Sequence, residues 1–343
     1  MTVASPPAAV VEEGLRLRRQ LAIGGPLASA SIGTVPILWN DVDAGPGIRR
    51  PAGTTPEAIL DDIARTGYGG CQLGDGFPEG DALRGVLAAR QLRLAEVYAA
   101  IPATGDGPTA GALGEVRDRL RLLVAGGGEV LCLAFDGSAD RDAVAGRATA
   151  AGVPRLTSDG WRRSIDLLLQ IAEETRASGA RVAFHPHAAT YVETRAEVER
   201  LAASISADVL PLCLDVGHWI VGGGDPVAAL REYGERITHV HLKDVDADVL
   251  AELRSGSIPG LEAAVRRRLF TELGAGVLDL DGVLAALAAR RYDGWLMVEQ
   301  DSGWPPPAES AAIGRRVLAA ALRRVSAVPR TGPITPEPRL PPP

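Results

Sequence analysis

The histidines of this chain occur in one short part of the sequence. All five lie between positions 185 and 241, although the chain has 343 residues. His185 and His187 are two residues apart, as are His239 and His241, and residues at that spacing point to the same face of a β-strand. Histidines scattered through a core or over a surface would not cluster in this way. We therefore interpret the cluster as the centre of a chemical site.

Carboxylates follow two apolar runs in the same half of the chain, at Asp215 and Glu299. Imidazole nitrogens and carboxylate oxygens together form the mixed donor set that suits Mn²⁺, Co²⁺, Fe²⁺ or Zn²⁺. We predict one divalent cation, with manganese or cobalt as the first choice and zinc, iron or magnesium as alternatives. The predicted ligands are His185, Asp215, His241 and Glu299.

Lys243 is one lysine among 36 basic residues, all the others being arginine. It follows His241 by two positions and shares its face if the strand continues. An ammonium can lose its proton where a guanidinium cannot, and a nearby divalent cation would make the neutral amine accessible for proton transfer. The same strand ends offer further polar groups to the ligands or to a substrate, namely His187, His218 and Gln300.

The elements that carry these residues follow a regular alternation. Short apolar runs alternate with amphipathic helical stretches from about residue 28 to about residue 325. Eight such alternations, with strands apolar on both faces, predict a closed (β/α)8 TIM barrel of the α/β class. A doubly wound open sheet would usually carry a glycine fingerprint after its first strand, and none is present. The predicted strands are Ser29–Val35, Gly70–Leu73, Arg93–Ala99, Val130–Phe135, Arg181–His185, Val209–Asp215, Ile237–Leu242 and Trp295–Glu299.

The chain divides into a catalytic barrel and two terminal segments. We predict a single domain over 28–326, an N-terminal extension over 1–27, and a disordered, proline-rich tail over 327–343. The segment Asp246–Val277, after the seventh strand, exceeds ordinary loop length and contains helical stretches of its own. Because barrel enzymes build their sites on this side, we predict a lid-like insertion.

Composition excludes several classes of partner. With 43 acidic and 36 basic residues the formal charge is −7, which disfavours binding to nucleic acid. No apolar run approaches the ~18 residues that a membrane span needs. Three cysteines in apolar surroundings, none in a CxxC pair, indicate reduced thiols and a cytoplasmic protein. We expect a small-molecule substrate, and a homo-oligomer stays an open option.

Short motifs occur along the chain in an order typical of one family. They include Pro36-Ile-Leu-Trp-Asn40, His185-Pro-His187 with Val192-Glu-Thr194, Asp215-Val-Gly-His218, His239-Val-His-Leu-Lys-Asp244 and Gly294-Trp-Leu-Met-Val-Glu-Gln-Asp301. From about Ser29 to Arg324 the chain resembles the sugar-phosphate isomerase/epimerase superfamily of xylose-isomerase-like TIM barrels. It is most similar to the inosose dehydratase branch. The resemblance implies a divalent metal, with Asp215, His241 and Glu299 at ligand positions.

Two residues depart from the patterns of the superfamily. His185 stands where its epimerases carry a glutamate, and those enzymes use two metal-bound glutamates as a proton-shuttling pair. Gln72 stands where the dehydratase branch often has a glutamate, which bears on the preferred substrate. Because Glu299 is the one glutamate left of the pair, the resemblance implies elimination rather than epimerisation.

The implied activity is that of a metal-dependent carbon–oxygen lyase, a dehydratase acting on a polyhydroxylated ketone such as an inosose or keto-sugar. The metal would polarise the ketone and stabilise an enediolate, and His187 or His218 would protonate the departing oxygen. The catalytic candidates are Lys243, Glu299, His187 and His218. The substrate-binding candidates are Trp39, Asn40, His187, His218, Lys243 and Gln300. The alternatives are an isomerase or epimerase, an enzyme that cleaves C-glycosides by β-elimination, and a non-catalytic sugar-binding barrel, while the acidic balance disfavours a DNA endonuclease.

Overall fold

Eight parallel strands close into a barrel in the computed structural model, which describes residues 6–22, 24–40, 51, 53–301 and 305–327. The first strand pairs with both the second and the eighth, and this closes the sheet. The predicted (β/α)8 barrel is therefore confirmed. Its strands are β1 (Ser31–Thr34), β2 (Gly70–Gln72), β3 (Arg93–Ile101), β4 (Val130–Phe135), β5 (Arg181–Phe184), β6 (Leu212–Asp215), β7 (Ile237–Leu242) and β8 (Trp295–Val298).

Each predicted strand overlaps an observed strand, and β4 and β7 have the predicted bounds. The largest difference is at β6, which begins three residues later than predicted. Val209 and Leu210 donate their N–H groups to Ser206 in a turn, and Pro211 has no N–H to give to a sheet. The apolar run continues through this turn, so composition alone places the start of the strand too early.

Helices separate the strands and cover the outside of the barrel. They are α1 (Ala8–Gln20), α2 (Pro56–Arg65), α3 (Gly80–Ala89), α4 (Ala112–Gly126), α5 (Ala139–Asp142), α6 (Ser158–Ala177), α7 (Arg195–Ser204), α8 (Val216–Val221), α9 (Pro226–Tyr233), α10 (Ala247–Ser255), α11 (Leu261–Arg266), α12 (Leu280–Ala289) and α13 (Pro307–Ala327). Side chains cap several starts, as Thr194 does in a capping box with Glu197 at α7. Among the described helices, none combines the length and apolar character needed to cross a membrane.

Apolar side chains lie on both faces of the sheet, as buried parallel strands require. The larger cluster packs the helices against the outside of the strands. Inside the barrel, Cys132, Ala183 and Cys213 lie in one small cluster, and Trp295 and Met297 lie in another. All three cysteines are buried and free within the described part of the chain. Polar side chains also enter the interior, where Glu96 and His239 are fully buried.

The long segments after β4 and β7 pack together over the carboxyl end of the barrel. A second apolar cluster joins Leu253 of α10 and Leu261 of α11 to Ala145 after β4 and to Ala189 after β5. The segment after β7 does contain helices, and its role as a lid stays a prediction, as do the domain boundaries. Of the predicted tail, residues 328–343 lie outside the described residues.

Candidate active site

The ends of β5 to β8 bring the four predicted ligands together. In the sheet register Asp215 lies opposite His241, and Met297 lies opposite His241 on the other side. Glu299 follows Met297 by two residues, so it faces the same interior, and its N–H donates to Leu242. Barrel closure therefore places residues from four strands around one point.

The donor atoms of these ligands converge on Oδ2 of Asp215. This oxygen lies 3.5 Å from Nε2 of His185 and 3.8 Å from Nδ1 of His241. Oε2 of Glu299 lies 2.6 Å from the same Nδ1. Oδ1 of Asp215 accepts the N–H of His218 and caps α8, whereas Oδ2 is buried without a hydrogen-bond partner among the described residues.

A buried carboxylate oxygen is costly unless a donor or a cation satisfies it. Here Oδ2 of Asp215 has no hydrogen bond among the described residues, although Nζ of Lys243 lies 3.5 Å away as an ion-pair partner. Donor atoms of His185, Asp215 and His241 all lie within 4.8 Å of one another. Nitrogen and oxygen donors at such spacing match the preferences of borderline divalent cations. The residues present therefore fit the metal that the sequence predicts.

Both ligand histidines have their outer nitrogens occupied by acceptors. Nδ1 of His185 lies 3.1 Å from the carbonyl oxygen of Pro186, so it donates there and leaves Nε2 free. Nε2 of His241 lies 3.0 Å from Oε2 of Glu96, which leaves Nδ1 toward Asp215. Such outer hydrogen bonds orient the imidazole ligands of protein metal sites.

Lys243 lies at the centre of a buried polar network. Its Nζ donates to Oδ1 of Asp301 at 2.8 Å and lies 2.9 Å from Oε1 of Glu299 and 3.1 Å from Nε2 of His218. Gly217 makes room for it, because a Cβ there would lie 2.8 Å from Cγ of Lys243. Lys243 therefore lies within the candidate site, in contact with Glu299, His218 and Asp301.

Charge decides the protonation of Lys243. Burial lowers its pKa, but the carboxylates of Asp215, Asp301 and Glu299 raise it further, to well above the ordinary value. With these partners Lys243 is an ammonium. The predicted neutral amine requires a cation that competes for Asp215 and Glu299, and it stays a prediction.

His187 and His218 stack beside the predicted ligands, with ring centroids 3.6 Å apart. Burial lowers the pKa of His187 to about 3, and the nearby His185 and Lys243 add to this. Burial also places the pKa of His218 well below its usual value, with contributions from His187 and Lys243. Both rings are therefore neutral at ordinary pH. This does not favour the predicted role of either histidine as the acid.

A cavity of about 800 Å³ reaches the residues beside the predicted ligands, although none of the four ligands lines it. Asn40, His187, His218 and Asp301 line it together with residues of the segments after β4 and β7, including Asp142 and Arg266. Trp39 is instead 4% exposed in the core, and its indole N–H donates to Asp62. This position suits packing, and the role of Trp39 as a substrate contact stays a prediction. Gln300 is also buried.

Three site residues were missed by sequence reasoning: Glu96 and Tyr98 on β3, and Asp301 after β8. Burial raises the pKa of Glu96, but the imidazoles of His241 and His239 lower it further, to about 2. The ring edge of Tyr98 faces His185, with centroids 6.2 Å apart. An acid inside an apolar strand was the available signal for Glu96.

Glu193 joins the segment after β4 to the loop that carries His187. Its two oxygens accept the N–H groups of Gly146 and Ala189, each at 2.9 Å. Burial raises the pKa of Glu193 to about 7, although these bonds and Arg141 act in the opposite direction. The folded protein therefore holds this carboxyl in a form that changes charge near neutral pH.

This shift predicts a pH-dependent stability. A carboxyl with a raised folded-state pKa contributes full stability below its unfolded value of about 4.3, and the contribution is lost as pH rises through the folded value. We expect the melting temperature of the wild type to fall between about pH 5 and pH 8 more steeply than that of Glu193→Gln. Calorimetry across that range measures it, with the exposed Glu199→Gln as control. Equal slopes for Glu193→Gln and the wild type would contradict the assignment.

The comparisons with known proteins agree with this fold. A family model described as the xylose isomerase-like TIM barrel matches residues 60–321, and the chain belongs to that family. The rhizopine catabolism protein MocC of Rhizobium meliloti is 33% identical over 302 residues, which cover 85% of this chain and 89% of the relative. An inosose dehydratase of Lacticaseibacillus casei is 29% identical over 296 residues, covering 85% and 97%.

Among solved structures, an L-ribulose 3-epimerase superimposes with a TM-score of 0.65. The match covers 86% of this chain and 95% of the epimerase at 18% identity. At that identity the likeness concerns the fold, and the chemistry must be argued from the residues of the site.

Proposed function

We propose that this protein is a divalent-cation-dependent lyase that removes water from a polyhydroxylated ketone such as an inosose or a keto-sugar. The observation that carries the proposal is the position of Lys243. Its Nζ lies 2.9 Å from Glu299, a predicted ligand, and 2.8 Å from Asp301 on the cavity wall. A proton-transfer group thus adjoins the metal ligands. The similarity to an inosose dehydratase supports the same class of substrate.

The cation would be held by four side chains, His185, Asp215, His241 and Glu299. When bound, it would supply Lewis acidity to a substrate carbonyl. The one glutamate in this set sets the site apart from the two-glutamate pattern of the superfamily's epimerases. Manganese or cobalt stays our first choice for a site of two nitrogen and two oxygen ligands.

The cavity offers hydrogen-bonding groups to a polyol. The side-chain amide of Asn40 donates to Asp75 at the cavity wall, and the oxygen of such an amide can accept a hydrogen bond from a hydroxyl. Nδ1 of His187 donates to the carbonyl of Ala188 at 2.6 Å, so the neutral ring presents Nε2 as an acceptor. A substrate rich in hydroxyl groups suits both contacts.

Proton transfer would run through Lys243 and Asp301. Lys243, as the neutral amine, takes the proton from the carbon beside the carbonyl, and that C–H electron pair forms a carbon–carbon double bond. The hydroxyl on the next carbon leaves with its bonding pair and receives a proton from Asp301, which releases water. Burial raises the pKa of Asp301 above its usual value even though the charge of Lys243 lowers it, and the charges of Glu299 and Asp215 also raise it. Lys243 then returns its proton to Asp301, so Asp301 replaces His187 and His218 as the acid.

A direct assay tests the reaction. Metal-loaded protein incubated with a panel of inososes and keto-sugars should convert at least one of them to a product lighter by one water. The new double bond should add near-ultraviolet absorbance, because it is conjugated with the carbonyl. Mass spectrometry and absorbance measure both, with chelator-treated protein as the control.

An unchanged product mass with altered stereochemistry or carbonyl position would contradict the dehydratase assignment and establish the isomerase alternative. Binding of a sugar without any conversion across the panel would favour a non-catalytic barrel. Solvent deuterium exchange does not separate elimination from isomerisation, because both begin with loss of the same proton.

A further inference from the structure

Glu96 is a carboxylate in the interior of the barrel that the proposed reaction does not use. Its side chain is fully buried on β3, and Oε2 lies 2.6 Å from Nε2 of His239 and 3.0 Å from Nε2 of His241. These imidazoles are its hydrogen-bond partners, since Oε1 has none among the described residues. A carboxylate buried away from water stays ionised only if hydrogen-bond donors stabilise its charge.

The direction of these hydrogen bonds follows from the chemistry of the groups. An ionised carboxylate only accepts, so both Nε2 atoms must carry protons. The same rule applies to Nδ1 of His241, which lies 2.6 Å from the Glu299 carboxylate. Burial lowers the pKa of His241, but Glu96 and Glu299 raise it to well above its usual value, so without a cation the ring carries protons on both nitrogens. A cation that takes the place of the Nδ1 proton would leave the Nε2 proton on Glu96. Nδ1 is the atom that lies 2.6 Å from Glu299 and 3.8 Å from Asp215, on the side of the predicted ligands.

We propose that Glu96 is a positioning residue that holds the Nε2–H form of His241 and so presents Nδ1 to the divalent cation. The inference rests on the metal site of the proposed function, but not on the reaction assigned to it. Glu96 contacts neither the cation nor the substrate in this assignment. Its contribution is to fix the ring orientation and the tautomer of one ligand and to make that ligand more basic.

Metal affinity tests the proposal without any substrate. Cobalt binding to the chelator-treated chain is titrated by calorimetry and by visible absorbance for the wild type, Glu96→Gln and Glu193→Gln. Outer-sphere partners of this kind typically contribute about 10–100-fold in affinity. We expect a loss of that size in Glu96→Gln, together with an altered cobalt spectrum. Glu193→Gln, which changes another buried carboxylate whose hydrogen bonds go to Gly146 and Ala189 rather than to a predicted ligand, should bind cobalt like the wild type.

A second measurement keeps the test valid if Glu96→Gln does not fold. In zinc-loaded wild-type protein labelled with ¹⁵N-histidine, the nitrogen shifts of His241 should show a proton on Nε2 and coordination at Nδ1. Coordination at Nε2 would overturn the proposal, as would unchanged cobalt affinity and spectrum in a folded Glu96→Gln.

The number of divalent ions bound per chain distinguishes the remaining possibilities. Two ions per chain would indicate that Glu96, His239 and His241 themselves hold a cation, and would overturn the positioning role. A wild type that binds no divalent ion would overturn both this inference and the metal site. One ion bound with the expected loss in Glu96→Gln, but no dehydration of any ketone, would support the inference while contradicting the proposed reaction.

Discussion

Asp215→Ala and Glu299→Ala should each remove the divalent cation from the purified protein, lowering its content from about one ion per chain to nearly none, as expected for loss of one ligand of a four-ligand site. Asp215 contributes the buried Oδ2 on which the other donors converge. The barrel should persist, because its strands are held by apolar packing on both faces. Elemental analysis and circular dichroism measure the two effects.

Asp215 also caps α8, and loss of a helix cap lowers stability by about 1 kcal/mol. The experiment therefore needs a control variant that removes a helix cap without removing a predicted ligand. Asp225→Ala offers that control, because Asp225 caps α9 from an exposed position. It should keep the ion. Full metal content in both ligand variants would refute the site, whereas full metal content with lost activity would favour a binding barrel.

Lys243→Arg should lower turnover by at least about 100-fold while the metal content stays unchanged, the size expected for loss of a general acid–base group. The guanidinium keeps the positive charge beside Glu299 and Asp301 but cannot release its proton. The close approach of Gly217 also leaves little space for a larger side chain. Steady-state kinetics on an active ketone measure the effect.

Lys243→Met is the matched variant, because it keeps the length of the side chain and removes the charge. It should be as impaired as Lys243→Arg if proton transfer is the role of the lysine. If Lys243→Arg turns over near the wild-type rate while Lys243→Met is impaired, the role of Lys243 is to supply a positive charge and not to transfer a proton.

The positions of the main site residues could be read from the sequence because of where they occur. His185, Asp215, His241 and Glu299 each end or follow an apolar run, and the carboxyl ends of parallel strands meet at one end of a barrel. Lys243 was identified by its isolation among arginines. Such local features can be recognised in the sequence without knowledge of the tertiary contacts.

Contacts between distant strands could not be read in this way. Glu96 and His241 are 145 residues apart and meet across the barrel interior. Their contact depends on closure of the sheet and on the register of β3, which shifts beside Cys71 and Gln72. The contact between the indole of Trp39, on the short helix Pro36–Trp39, and Asp62 is likewise visible only in the structure.

The sequence by itself determined the barrel, the ends of the strands that carry the predicted ligands, and the candidate lysine, because periodicity and strand-end position are local properties of the chain. Only the tertiary structure decided the proton states. Burial beside Lys243 makes His187 and His218 neutral, and three carboxylates at the ends of two different strands keep Lys243 charged. Desolvation and Coulomb interactions depend on distances in space, and these exist only once the eight strands have closed.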